Sequence, residues 1–393
     1  MSETRSADGT KEGDGMIYLD HAATTPVHPE VAAAMRPYLA EKFGNPSSLH
    51  AYGRAAREAV DEAREAIAEC LGCHPGELIF TSGGTEADNL ALFGAAWAAR
   101  ERGKGNHVVA SAIEHHAVLE TCAFLEKLGF RVTYVPVNRY GEVDLDALEA
   151  ALDDETALIS VMMGNNEVGT RQPVEAVGKL ARERGVWFHT DAVQALAVEV
   201  VDLRTLPADL LSISAHKING PKGVGALYAA KHVPLVPLLH GGFQERRRRG
   251  GTENVPGIIG FAAAVKLLRR TLSQRAAAYR RLREAMVEEL ARRLGRERFV
   301  VNGHPDRVYP NILNVSFPGV DNETLLIRLD MAGVAASSGS ACTAGSMQPS
   351  HVLRAMGLEE ALIRSAVRFS FGYGTTEEDV LAAGGGRGGR GGG

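Results

Sequence analysis

Lys217 lies in the stretch Ser212–Gly223, which reads SISAHKINGPKG. It sits just beyond an apolar run, Asp209–Ser214, with the composition of a buried strand end. Ile218-Asn219-Gly220-Pro221 comes next, a set of residues that cannot continue a strand and forces a turn. An amine held at a strand end and shielded from water has a lowered pKa and can form a Schiff base with an aldehyde. The competing reading is a solvated loop lysine. Four other strand ends weigh between the two.

FTSGGTEADN, Phe80–Asn89, is a strand followed by a Gly-rich turn and a helix start. Free N–H groups at such a helix start bind phosphate, and Thr85 serves either as cap or as phosphate ligand. SAIEHHAVL places His115 and His116 after the strand His107–Ser111. Adjacent histidines rarely face the same way, so one imidazole stacked on a flat ring is expected rather than a metal pair, with a helix cap as the alternative. MMGNNEVGT sets Asn165, Asn166 and Glu167 after another apolar strand, where amides either orient a polar ligand or make a turn. WFHTDAVQA sets Asp191 and Gln194 after Val186–Thr190, where a carboxylate can hold a pyridinium N–H. Phosphate cradle, ring stacker, amide, pyridinium partner and Schiff-base lysine together specify pyridoxal phosphate (PLP) chemistry.

These groups need a common scaffold. Leu78–Thr81, His107–Ser111, Val132–Val137, Leu158–Met163, Val186–Thr190, Asp209–Ser214 and Val224–Tyr228 read as seven short apolar strands. Amphipathic helices such as Ala117–Leu128 and Val174–Arg184 separate most of them, which means βαβ units and a mostly parallel seven-stranded sheet between helices. Ligands of such sheets sit outside the carboxyl ends of the strands. A helix is expected over Ser48–Leu71 with Gly72 as its C-cap. A long helical region, Gly257–Gly295, leads to a smaller α+β part with strands Arg298–Val301, Asn311–Phe317 and Val367–Phe371 and the helix Asn322–Met331. The expected division is a polar tail over 1–15, a large domain over 16–256 (16–30 joining the small domain), a small domain over 257–381, and a Gly/Arg-rich disordered tail over 382–393.

The chain has 393 residues and a formal net charge of −5, so no overall electrostatic case exists for nucleic acid or an anionic membrane. The first residues lack an apolar signal-peptide core, and Val255–Leu268 is too short to span a bilayer. Four cysteines in this length make no disulfide framework, so a cytoplasmic location is expected. Cys70 and Cys73 form a lone C-x-x-C, read as core packing, as is Cys122. The arginine run Arg246–Arg249 is read as a dimer-contact loop, and the C-terminal arginines as a passive tail.

YLDHAATTP, GNPSSLH, FTSGGTEADN, EHHAV, NNEVG, HTDAVQ, SAHKINGPKG, RRGGTENVPG, PNILNVSF and SSGSACTAGS occur in that order. With them, the chain from about Met16 to Asp379 resembles the fold-type I, class V aminotransferase-like family, and within it the NifS/IscS-type cysteine desulfurases. The resemblance implies the PLP-transferase fold of type I and a homodimer. Lys217 would carry PLP as a Schiff base and move protons at the substrate Cα. Gly84, Thr85, Ser214 and His216 would bind the phosphate, and Thr252 of RGGT would reach the phosphate of the neighbouring protomer's cofactor. His115 would stack on the ring and help proton transfer, Asp191 would bind the ring nitrogen, and Gln194 the ring hydroxyl. Asn166, also a cofactor contact, and Arg368 would hold the substrate carboxylate, a task suited to a planar bidentate fork.

Cys342 separates a desulfurase from other PLP activities. It lies in Ser337–Ser346, whose small residues predict a mobile loop, and its thiolate would be the nucleophile. The competing reading is a buried structural cysteine. In the implied reaction L-cysteine yields L-alanine, and the sulfur stays on Cys342 as a persulfide for an iron–sulfur scaffold protein or another acceptor. Selenocysteine lyase and a non-catalytic partner-binding subunit of the same fold are the alternatives. No metal of its own is expected; whether Cys342 shares a [2Fe–2S] cluster with a scaffold stays open at this point. One departure from the family is the glycine- and arginine-rich end after Leu381, which puts scaffold docking in question.

Overall fold

The structure, a computed structural model, describes residues 15–339 and 349–385. It begins with a short strand, β1 (Ile17–Tyr18), and two helices, α1 (Pro29–Ala40) and α2 (Ala51–Leu71). Alternation follows: β2 (Leu78–Thr81), α3 (Gly84–Glu101), β3 (His107–Ser111), α4 (His116–Lys127), β4 (Arg131–Val135), α5 (Leu145–Ala151), β5 (Thr156–Ser160), α6 (Val174–Arg184) and β6 (Trp187–Asp191). β7 (Leu210–Ser214) and β8 (Gly225–Ala229) complete it. The long α7 (Val255–Leu294) then leads to β9 (Val300–Asn302), β10 (Ile312–Ser316), α8 (Asn322–Met331), β11 (Val334–Ala335), α9 (His351–Ala355), α10 (Glu360–Ile363), β12 (Ala366–Ser370) and α11 (Glu377–Gly384).

Seven strands form one sheet in the order β2-β8-β7-β6-β5-β3-β4, and β8 alone runs against its neighbours. β5, β6 and β7 are buried at every position, as expected of parallel strands covered on both faces. The expected strand Leu158–Met163 leaves the ladder at Ser160. Val161 and Met163 still donate their N–H groups to the carbonyls of His189 and Asp191, so the chain follows β6 out to the sheet end. Residues 215–224, which link β7 to β8, are too few for a parallel crossover, and that pair is antiparallel accordingly.

α2 buries Ala56, Val60, Ala63, Ile67 and Leu71, one stripe at helical spacing, and stops at Gly72, whose φ of 71° is left-handed. α7 has 40 residues, about 60 Å at 1.5 Å each. Its first half packs on α1 and α2, while Tyr279, Leu282, Met286 and Leu290 in its second half are buried where α11 packs. β9, β10 and β12 form a separate antiparallel sheet, and β1 pairs with β11. α11 runs to Gly384, so residues 382–384 are helical, not part of a tail; the Thr376–Asp379 capping box starts that helix. Residues 386–393 lie outside the described residues.

Candidate active site

Residues that follow the carboxyl ends of β2, β3, β5, β6 and β7 line one cavity of about 190 Å³. Gly84, Thr85, His115, Asn166, Asp191, Gln194, Ser214, His216, Lys217 and Arg368, all singled out from sequence, are on its wall. Two others are not there. Thr252 is exposed and is not on this chain's cavity wall, and Cys342 lies outside the described residues.

Lys217 ends a single 3₁₀ turn after β7 and donates from Nζ to the carbonyls of Ala22 and Ala23, 2.8 Å for the latter. The segment 20–25 is strapped over it: Thr25 Oγ1 donates to the His216 carbonyl at 2.7 Å, and Gln194 Nε2 donates to the Ala22 carbonyl at 3.0 Å. Asp191, at the end of β6, accepts the Val193 N–H at 2.8 Å. Burial pushes its carboxyl up to about 6, against the pull of that N–H and of Lys217. Behind it, Asp88 is held well above the usual carboxylate range, first by burial and then by Asp191. Asp88 Oδ1 is 3.6 Å from Nε2 of His189, whose own pKa burial drives down to about 3. The floor of the site therefore holds an acid and an imidazole beneath Asp191, and burial opposes a charge on either.

His115 is the N-cap of α4: its Nδ1 accepts the Ala117 N–H at 3.1 Å. Capping and lining the cavity, which sequence reading set as alternatives, are both true of it. The cap also fixes the tautomer, because a neutral ring whose Nδ1 accepts must carry its proton on Nε2. Burial, with Lys217 and two other histidines, lowers this ring to about 4. The expectation that His116 would face away is corrected. His116 also lines the cavity, its ring centroid 6.4 Å from that of His115 and 4.7 Å from that of His351, because the helix start turns both side chains to the same rim.

Arg368, on β12, is 1% exposed. Nη1 donates to the carbonyls of Asn166 (2.7 Å) and Gly339 (3.0 Å), and Nη2 to Asp20 at 2.9 Å. Its buried Nε has no hydrogen-bond partner among the described residues, and the residue lines the cavity. Glu167, unassigned from sequence, accepts from Ser350 and touches the cavity; burial raises its carboxyl. Gly339 and Ser350 flank the undescribed stretch, so Arg368 and Glu167 anchor both of its described shoulders to the same wall. Asp88 and His351 escape sequence reading, and Glu167 is placed at a strand end without a role, because nothing in their spacing separates a cavity-facing residue from a core-facing one.

Three cysteines are described, all free, and burial raises each thiol, Cys73 and Cys122 to about 12. Thiols of that kind are poor nucleophiles near neutral pH. Among the described residues, no group of three or more His, Cys, Asp or Glu is placed to hold a metal ion, and no helix is long and apolar enough to cross a membrane.

The wall fits an aromatic aldehyde phosphate. α3 opens at Gly84, and its first N–H groups have no helical acceptor. Its N-cap is Gly83, which corrects the reading of Thr85 as a cap and leaves that hydroxyl at the cavity. The Ser214 hydroxyl is buried with no partner among the described residues, and a Cβ at Gly84 would come 2.9 Å from Val193 Cγ2. The arrangement suits such a group: the helix start would hold its phosphate, Asp191 its ring nitrogen, and Lys217 would react with its aldehyde.

The family model described as aminotransferase class-V matches residues 17–382. The chain belongs to that family. It is similar to the cysteine desulfurase IscS of Methanosarcina thermophila, 48% identical over 364 residues covering 93% of this chain and 89% of that protein. Among solved structures, one described as a NifS-like protein superposes with a TM-score of 0.88 at 40% identity, covering 94% of this chain and 97% of its own. Another, described as SspA in complex with cysteine, gives a TM-score of 0.79 at 39% identity, covering 90% and 98%. The class V assignment and the mixed α/β sheet agree with the fold read from sequence.

Proposed function

We propose that this class V chain is a cysteine desulfurase that takes sulfur from L-cysteine, releases L-alanine and holds the sulfur as a persulfide on Cys342. The observation that carries the reading is the convergence of Lys217, Asp191, His115 and Arg368 on a cavity with Gly339 at its rim. Cys342 follows three residues later in sequence, within about 10 Å of chain at full extension. The similarity to named cysteine desulfurases over nine-tenths of the chain supports it.

PLP, held by Lys217, Asp191, Gln194, Ser214, His216 and the Gly84–Thr85 helix start, would supply an electron sink for the substrate Cα–H bond. The protein supplies the rest. Arg368 Nε and the Asn166 side chain grip the substrate carboxylate, and Lys217 moves the Cα proton. The Cys342 thiolate attacks the substrate Sγ, and the S–S bond forms as the Cβ–Sγ bond breaks. His115, whose Nδ1 is tied to Ala117, serves as an Nε2–H donor. Overall, L-cysteine and the Cys342 thiol become L-alanine and the Cys342 persulfide, with atoms and protons balanced. Thr252 acts on the phosphate of a second copy in a homodimer, and the sulfur goes to an iron–sulfur scaffold protein or another acceptor. The large domain, 16–256, carries the cofactor, and the smaller, 257–381, carries Arg368 and Cys342.

The test is an assay of PLP-loaded protein with L-cysteine that counts alanine and enzyme-bound sulfane sulfur, beside Cys342→Ser. Equal amounts of both from wild type and neither from the variant are expected. Alanine release by Cys342→Ser at the wild-type rate would remove Cys342 as the nucleophile.

A further inference from the structure

Lys217 belongs to two cavity walls. Besides the cavity described above, it borders a pocket of about 10 Å³ whose lining includes His21, Gln194, Arg275, Tyr279 and Asn311. That is about the least space that holds one water molecule. Two residues of this lining, each 5% exposed, carry a buried atom with no hydrogen-bond partner among the described residues: His21 Nδ1 and Asn311 Oδ1. An unsatisfied buried polar atom is destabilising, so two around one pocket need a shared explanation.

The protonation pattern supplies it. Burial lowers the His21 ring to about 4, against the Tyr18 main-chain carbonyl, so the ring carries a single proton at neutral pH. Its Nε2 is 3.3 Å from Thr375 Oγ1, which already accepts the Gly372 N–H at 3.1 Å. With the proton on Nε2, Nδ1 is an acceptor, and Asn311 Oδ1 is another. Only glycine fits at 372, because any side chain there would collide with Nδ1. Two acceptors around a one-water space call for a molecule with two donor hydrogens.

We propose that this pocket binds one water molecule, donating to His21 Nδ1 and Asn311 Oδ1, and that water, His21 and Thr375 form a proton-exchange port for Lys217 separate from the substrate side. A proton leaving Lys217 enters the water, which passes one of its own to Nδ1. Nε2 then releases its proton to Thr375 Oγ1, and the Thr375 hydroxyl proton leaves to solvent. The net change is one proton from amine to bulk, and the ring regains its first tautomer when a proton runs inward. Thr375 is half-buried and Tyr373 is 40% exposed, so the route reaches the surface within a few residues. The port role rests on the reading of Lys217 as the proton-moving amine; the water site does not.

Two measurements test the two parts. A crystal structure of the PLP-loaded protein is expected to show one ordered water within about 3.2 Å of both atoms; a pocket closed by a side chain or lacking water overturns the site. For the port, alanine formed in deuterium oxide is analysed for deuterium at Cα. Asn311→Leu, which replaces the Oδ1 acceptor with a methyl group, is expected to raise the substrate protium returned to Cα several-fold while alanine is still made. His21→Phe is the second variant should Asn311→Leu fail to fold. Unchanged deuterium in a folded variant overturns the port. Failure of the wild type to make alanine would sink the desulfurase reading instead, and the crystallographic arm would still decide the water site.

Discussion

Asp191→Asn isolates the electrostatics of the cofactor site. In the cofactor-free protein burial raises the Asp191 carboxyl from 3.8 to about 6. Two pKa units correspond to about 3 kcal/mol against the ionised form. A ring N–H⁺ docked on this carboxylate offsets that cost, so the group's pKa is lower in the complex than in the free protein. The complex then binds fewer protons at Asp191, and linkage gives the sign: affinity is highest above about pH 6 and falls about tenfold per unit below it. Replacing the carboxylate with an amide removes this dependence and weakens binding by up to about 100-fold near pH 8. The assay is a fluorescence titration of stripped protein with PLP between about pH 5 and pH 8. Taking the ratio of wild-type to variant affinity cancels the ionisations of free PLP. A ratio that stays flat across the range would refute the reasoning, since Asp191 would then not be the titrating partner of the ring.

Two further outcomes follow from buried charge. Arg64 and Glu245 pair at 2.6 Å with both side chains nearly fully buried, and Glu245 also accepts the Phe80 N–H at 3.0 Å. Glu245, Arg246 and Arg247 hold positive φ values of 47°, 57° and 65°, strain that this pair restrains. Glu245→Gln is expected to cost about 3–5 kcal/mol in denaturant unfolding; a loss under about 1 kcal/mol would show that Arg64 finds another partner. Arg368→Lys loses the fork that spans Asp20, Asn166 and Gly339. A fall in kcat/KM for cysteine of at least about tenfold is expected, and an unchanged KM would take the substrate carboxylate away from this residue.

Much of the site is legible in sequence for a simple reason. Strand ends in a parallel sheet are marked by a change from apolar to Gly, Asn, His and Asp residues, and the ligand-facing residues sit within a few positions of that change. SGGTEADN, HTDAVQ and SAHKINGPKG announce their own geometry, and Gly84, Asp191 and Lys217 lie where those patterns place them. The Gly72 cap and the helix Asn322–Met331 are equally local, since caps and periodicity are written within a few residues. Composition and spacing likewise suffice for the α/β alternation.

Contacts between residues far apart in sequence needed the tertiary structure. Asp20 meets Arg368 across 348 positions, and Ala22 meets Lys217 across 195. No periodicity reports such pairs, because each partner satisfies its own local pattern whether or not the other is present. Asp88 reads as one more acid in the first turns of a helix; only burial beside Asp191 raises its pKa. His21 and Asn311, which come from opposite ends of the chain, acquire a shared pocket only when the segment after β1 folds over Lys217. Sequence alone determined which chemical groups the protein carries and the elements that present them. Desolvation and long-range contact, which depend on the whole packed molecule, decided which of those groups are charged, which are neutral and which face the same cavity.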